Sequence, residues 1–258
     1  MKAFKKTLSI LLALLIAFTC ASVAFAAKDI LVFVTVDGIK KTLYDSELTV
    51  RAGSSVLDVL KAAGLDVVVQ QTEDGARIVS IEGDTEKTFG GSDGWYYDLW
   101  PEETYCSTPV DKKQVENGDC IEVYYADRAV GFQKPIFHEQ LNEGFIYLYS
   151  NETDPATGEE TQVPVVGATM VIDGTHTFVS DENGKVYLPA ELCENVHTMM
   201  LERYAENGLP TLLRAEGEIG FDPTLGPNLP VGSFLIRLGN WFGSIIDRIV
   251  AFFKGLFK

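Results

Sequence analysis

A mainly β, multi-domain chain is what this sequence predicts: an α+β domain, a small antiparallel β-sandwich, and an amphipathic helix at the C-terminus. Three observations predict it. Apolar residues alternate with others in short runs, as at Ile30, Val32, Val34 and Val36 and again at Phe145, Tyr147 and Tyr149, the period of half-buried strands. Turn dipeptides punctuate these runs, among them Asp37-Gly38, Asp173-Gly174 and Asn183-Gly184. One segment near residue 55 shows helical spacing behind a cap, and a second fills the last residues of the chain.

The first 26 residues read as a secretory signal. Lys2, Lys5 and Lys6 precede an apolar run from Leu8 to Phe18, and Ala24-Phe25-Ala26 is a small-residue cleavage site. The run is shorter than the ~20 residues of a membrane-spanning helix. Cys20 follows Thr19, not the small residue that a lipid-attachment signal requires. The expected location is therefore extracellular, at the cell surface. Net charge is −16 and becomes −19 once the three leader lysines are removed. So acidic a body repels phosphate backbones, which excludes nucleic acid as an expected partner.

The first domain is expected over 28–128. Its opening strand turns at Asp37-Gly38 and returns past Leu43 and Leu48 to Arg51. Ser55 with Asp58 three residues on forms a capping box, Val56, Leu57, Val59 and Leu60 supply a buried stripe, and Gly64 ends the helix. Further strands follow at 67–70, 77–81, 95–99 and 121–125. One helix against a mixed sheet is the β-grasp plan. Ser54 to Leu60, Ile78 to Ile81, Gly94-Trp95-Tyr96-Tyr97 and Asn117 to Tyr125 together resemble the bacterial DUF4430 family, itself similar to the C-terminal domain of transcobalamin and intrinsic factor. The resemblance implies a binding domain for which cobalamin or a related corrinoid is the alternative ligand. Where the family continues into an Asn-Gly turn, this chain has Asp98-Leu99-Trp100-Pro101.

A connector is expected over 129–143 and a second domain over 144–222. Strand, turn and strand recur here around Val165 to Gly174 and Val179 to Leu188, the pattern of a β-sandwich. These residues resemble prealbumin-like and carboxypeptidase-regulatory-like sandwiches. Asp181-Glu182-Asn183-Gly184 reads as a plain turn, because the other spaced ligands of a calcium loop are missing. Cys106 and Cys120 are either a disulfide or two half-buried thiols.

A proline linker, 223–232, leads to the terminal helix, 233–258. Trp241, Phe242, Ile245, Ile249, Phe252, Phe253 and Phe257 fall on its apolar stripe. The segment carries +3, which leaves −22 on the body between leader and tail. Three alternatives stand: packing on the chain's own domains, self-association, and an interfacial helix lying on an anionic membrane surface. Arg237, Asp247 and Arg248 argue against its spanning one.

No catalytic motif occurs, and His138, His176 and His197 form no metal-spaced pair. The chain is thus expected to be a secreted, non-catalytic binding or adhesion protein, without cofactor or metal, held at the membrane by its terminal helix. The expected ligand contacts are Trp95, Tyr96, Tyr97, Trp100 and Tyr124, since alternation turns some of these rings outward. Their partner would be a small amphipathic ligand, a surface glycan or a surface protein. The opposing expectation is that the same rings fill the core and tie their polar tips to strand edges.

Overall fold

The computed structural model describes residues 28–100, 106–140, 143–153, 157–193 and 195–219. The leader, the proline linker and the expected terminal helix with its seven membrane-contact residues lie outside these. Among the described residues no helix is long and apolar enough to cross a membrane.

The architecture is mainly β, in several antiparallel sheets. Strands β1 (Asp29–Asp37) and β2 (Thr42–Arg51) come first, then helix α1 (Val56–Ala62). Ser55 caps α1 as expected: its side chain accepts from Asp58 N–H while the Asp58 carboxylate accepts from Ser55 N–H at 2.9 Å. Two more amides of the first turn, Val56 and Leu57, donate to the carbonyls of Lys113 and Val110, so none of these donors is wasted. At the other end Gly64, at φ +80, donates to Lys61 O and Leu65 to Leu60 O. That is the Schellman closure. The buried stripe is Val56, Leu57, Val59 and Leu60.

β3 (Val67–Gln71), β4 (Ala76–Ile81) and β5 (Asp84–Thr85) form a three-stranded sheet, with a bulge at Val68/Val69. β6 (Gly94–Trp100) and β7 (Cys120–Ala126) join the first two strands in the order β2-β1-β7-β6. By compactness the described chain divides into one unit of residues 28–36, 44–83 and 97–123 and a second of 37–43, 84–96 and 124–219. In the first unit Val32, Val34, Ile81, Ile121 and Val123 are fully buried.

The second unit holds a sandwich. β8 (Ile136–Gln140) and β9 (Phe145–Thr153) pair antiparallel, and β10 (Glu160–Pro164) and β13 (Lys185–Tyr187) line the other side of β9 in succession. The facing sheet runs β12 (His176–Val179), β11 (Thr169–Ile172), β14 (His197–Glu202), β15 (Ala215–Ile219). Phe137, Ile146, Leu148 and Val186 from one sheet meet Met170, Ile172, Leu201 and Ala215 from the other in a dry core.

One expectation needs correction here. The stretch 129–143 is not a plain connector, because β8 lies within it and Phe137 is fully buried. The turn at Asp37-Gly38 stands where it was expected, between β1 and β2, but runs over 38–41. It closes through Gly38 N–H to Lys41 O, and a Cβ on Gly38 would stand 2.5 Å from Asp84 Oδ2, which accepts from Ile39 N–H.

Candidate functional site

Asp93 organises the loop 89–93 and ties it to Tyr125. In this loop its carboxylate accepts from Phe89 and Gly91 amides at 3.0 and 2.9 Å and from Tyr125 Oη at 2.5 Å. Burial alone would raise the carboxyl pKa. The hydrogen bonds from Tyr125, Phe89 and Gly91 together outweigh it and hold the group below the ordinary carboxylate range. Burial, reinforced by the bond to Asp93, pushes the Tyr125 phenol well above its usual value. A side chain at Gly91 would meet Asp127 Oδ2 at 2.6 Å, the atom that accepts from Ser92 N–H. The glycines of this loop thus allow backbone to wrap carboxylates.

The five expected contact residues are distributed by the alternation of β6 and β7. Trp95 turns inward, packs edge-on against Tyr125 with ring centroids 5.5 Å apart, and donates from Nε1 to Asp84 O. Tyr97 is buried in the other unit, its hydroxyl donating to Thr108 O while Cys106 Sγ donates to that hydroxyl. Cys106 and Cys120 are thiols, not a disulfide, and burial raises the Cys120 thiol to about 11. Trp100 is half-buried.

Of these five rings Tyr96 and Tyr124 stack on one another, Tyr124 buried and Tyr96 half-buried. Tyr124 is 1% exposed, between Tyr96 (6.2 Å, 26°) and Phe132 (5.2 Å, 3°). Arg128 lies over Tyr96 at 5.4 Å and Lys134 over Tyr124 at 4.6 Å. The Tyr96 hydroxyl donates to Ser92 O. Beside this stack a recess lined by Tyr124, Tyr125, Phe132, Tyr204 and Arg214 encloses ≈ 10 Å³. That is room for about one water, against the several hundred Å³ that bury a small ligand. Arg214 is itself engaged, donating to Glu202 Oε2 at 2.8 Å.

A different set of rings faces outward, on β9. Ile146, Leu148 and Ser150 point into the sandwich, so Phe145, Tyr147 and Tyr149 stand on the opposite face, Phe145 buried there and the two tyrosines half-buried. Register places Ile136 and Pro164 on either side of Tyr149, His138 and Lys185 beside Tyr147, and Gln140 and Tyr187 beside Phe145. Tyr147 and Tyr149 stack at 5.4 Å and 23°, and Tyr187, 58% exposed, packs on Phe145 at 5.8 Å. Lys185 Nζ lies 4.1 Å over the Phe145 ring. Among the described residues no hydrogen bond engages the hydroxyls of Tyr147, Tyr149 or Tyr187. The alternation of β9 was visible in the sequence; which of its two faces lay outside was not, because Tyr is at home on both.

Titratable clusters are few. His197 Nδ1 meets Asp173 Oδ2 at 2.6 Å, and Thr198 donates to Asp173 Oδ1 through both its amide and its hydroxyl. The hydrogen bond to His197 is the main cause that lowers the Asp173 pKa. Asp181 accepts from the amides of Asn183 and Lys185, the turn expected from its sequence. Among the described residues no three His, Cys, Asp or Glu side chains group as metal ligands would.

No family model matches this chain, and no curated protein matches it. Among solved structures, haptocorrin in complex with Cbi is similar over 39% of this chain and 26% of its own, at 23% identity and a TM-score of 0.35. A chain from Ruminococcus gnavus ATCC 29149, named for a proposed metal-binding role, is similar over 38% of this chain and 97% of its own, at 20% identity and a TM-score of 0.31. This chain therefore spans about a quarter of the haptocorrin chain it matches.

Proposed function

We propose that the protein is an extracellular, non-catalytic binding or adhesion module that engages its partner through the outer face of β9. The observation that carries this reading is the row Phe145, Tyr147, Tyr149 and Tyr187, with its three tyrosine hydroxyls unengaged among the described residues. Tyrosine joins a large apolar ring to a polar tip at low entropic cost, and it concentrates at the centres of protein interfaces. Ile136 and Pro164 extend the apolar ground, and His138, Gln140 and Lys185 give it a polar rim. Export through residues 1–26 and attachment to an anionic membrane through 233–258 belong to the same proposal, supported by the sequence pattern alone.

The test compares the full chain with its Tyr147→Ala/Tyr149→Ala variant on immobilised polypeptides, polysaccharides and cobinamide. The proposal expects at least one polypeptide to be retained by the parent and lost by the variant. Retention equal for both would contradict it. Quenching of tryptophan fluorescence by cobinamide, unchanged in the variant, would instead favour the corrinoid alternative. For the tail, the full chain should float with anionic liposomes and a chain ending at Pro230 should not.

A further inference from the structure

The same face says what kind of partner fits it. We infer that the β9 tyrosine face takes a cationic polypeptide segment, arginine or lysine side chains lying against Tyr147 and Tyr149; this rests on the reading of that face as the binding surface. The chain carries −16 overall and −22 between leader and tail, so a positively charged segment is drawn to it and a negatively charged one is repelled. Aromatic rings offer the negative face of their quadrupole to such cations. Among the described residues of this unit the chain makes that contact with its own residues: Arg128 over Tyr96, Lys134 over Tyr124, and Lys185 over Phe145, at 5.4, 4.6 and 4.1 Å. Tyr147 and Tyr149 stack on one another on the outer face, and among the described residues no such cation lies over them.

Charges of both signs flank the pair: Lys185 stands beside Tyr147, and a carboxylate lies farther along the face. Glu160 is exposed and shares the outer face of β10 with Gln162 and Pro164, two rows beyond Tyr149. Lys185, the one ammonium in the rows, is held over Phe145 and faces the Asp181 carboxylate. It leaves the far side of the tyrosine pair to an incoming cation.

The experiment uses the full chain and four probes: an alternating arginine–glycine decapeptide, its lysine and glutamate counterparts, and a neutral cello-oligosaccharide. The arginine peptide should bind, the lysine peptide more weakly, the glutamate peptide not at all. Tyr147→Ala/Tyr149→Ala should weaken arginine-peptide binding at least tenfold, and Tyr147→Phe/Tyr149→Phe by threefold or less, since ring faces and not hydroxyls hold the cation. Glu160→Lys should weaken it several-fold. Arginine-peptide binding identical in parent and alanine variant would overturn the inference, marking diffuse attraction to an acidic body. Tyrosine-dependent binding of the oligosaccharide or the glutamate peptide alone would overturn it too, while leaving the face itself as the binding surface.

Discussion

The protein carries two tyrosine-rich regions, and they differ in where the polar tips go. Around Asp93 the tips of Trp95, Tyr96 and Tyr125 each find a partner within the same unit, and Tyr97 does so in the other. On β9 the hydroxyls of Tyr147, Tyr149 and Tyr187 find none among the described residues. Richness in aromatics is therefore a poor guide to a binding surface. A buried ring must satisfy its polar tip inside the protein, whereas a ring on a surface leaves that capacity for a partner. The first region satisfies its polar tips internally, and the second carries the face proposed for binding.

The sharpest way to break this contrast is Asp93→Ala. The change removes the acceptor of the half-buried Phe89 and Gly91 amide bonds and one of two acceptors of the Tyr125 hydroxyl, which keeps Thr85 O at 2.9 Å; each donor left unsatisfied costs about 1–3 kcal/mol. A loss of roughly 3 kcal/mol or more is expected in urea unfolding. A loss below about 1 kcal/mol would show that the loop is not held by this carboxylate. Its pH dependence has a definite sign. Because the folded pKa of Asp93 is depressed, its contribution is complete above the unfolded value of about 4 and disappears as pH falls through the folded one.

On the outer face the expectation is reversed. Tyr147→Ala/Tyr149→Ala should weaken partner binding tenfold or more, about 1.4 kcal/mol or above, yet shift the melting temperature by only a few degrees. A large loss of stability with binding intact would assign these rings to the scaffold.

Smaller effects concern β8. Alternation from Phe137 turns Glu139 inward, and burial pushes its carboxyl up to about 7. The folded protein thus holds that proton more tightly than the unfolded chain, so stability present near pH 4 is lost as pH rises through about 7. Glu139→Gln should stabilise the protein at pH 8 by on the order of 1 kcal/mol, after allowance for the solvent that still reaches the group, and hardly at all at pH 4. Equal gains at both pH values would contradict this. The smallest change expected is from Ser55→Ala, which removes one side of the capping box of α1 and should cost about 1 kcal/mol.

Much of this fold was legible before any coordinates. The capping box and Gly64 located α1 at both ends, and period-two alternation located β1, β6, β7 and β9. β8 escaped because His138, Glu139 and Gln140 mask its alternation; only Phe137 of its inward residues is apolar. β10 escaped because it is exposed along most of its length, and no apolar period marks it. The proposed binding surface was harder to read. Gly94-Trp95-Tyr96-Tyr97 drew attention through density of rings, but burial depends on what packs against them: Tyr125 covers Trp95, and Phe132 and Leu213 cover Tyr124. Alternation on β9 promised one face outward without saying which. That choice was made by Ile146 and Leu148, whose places in the core left the tyrosines outside.

Nitration of the intact protein with tetranitromethane, followed by peptide mapping, tests the contrast most directly. Tyr147, Tyr149 and Tyr187 should react first, with Tyr97, Tyr124 and Tyr125 protected until the protein unfolds. Early modification of Tyr124 or Tyr125 with the β9 tyrosines unmodified would contradict it, and would return the binding surface to the segment Gly90–Tyr125.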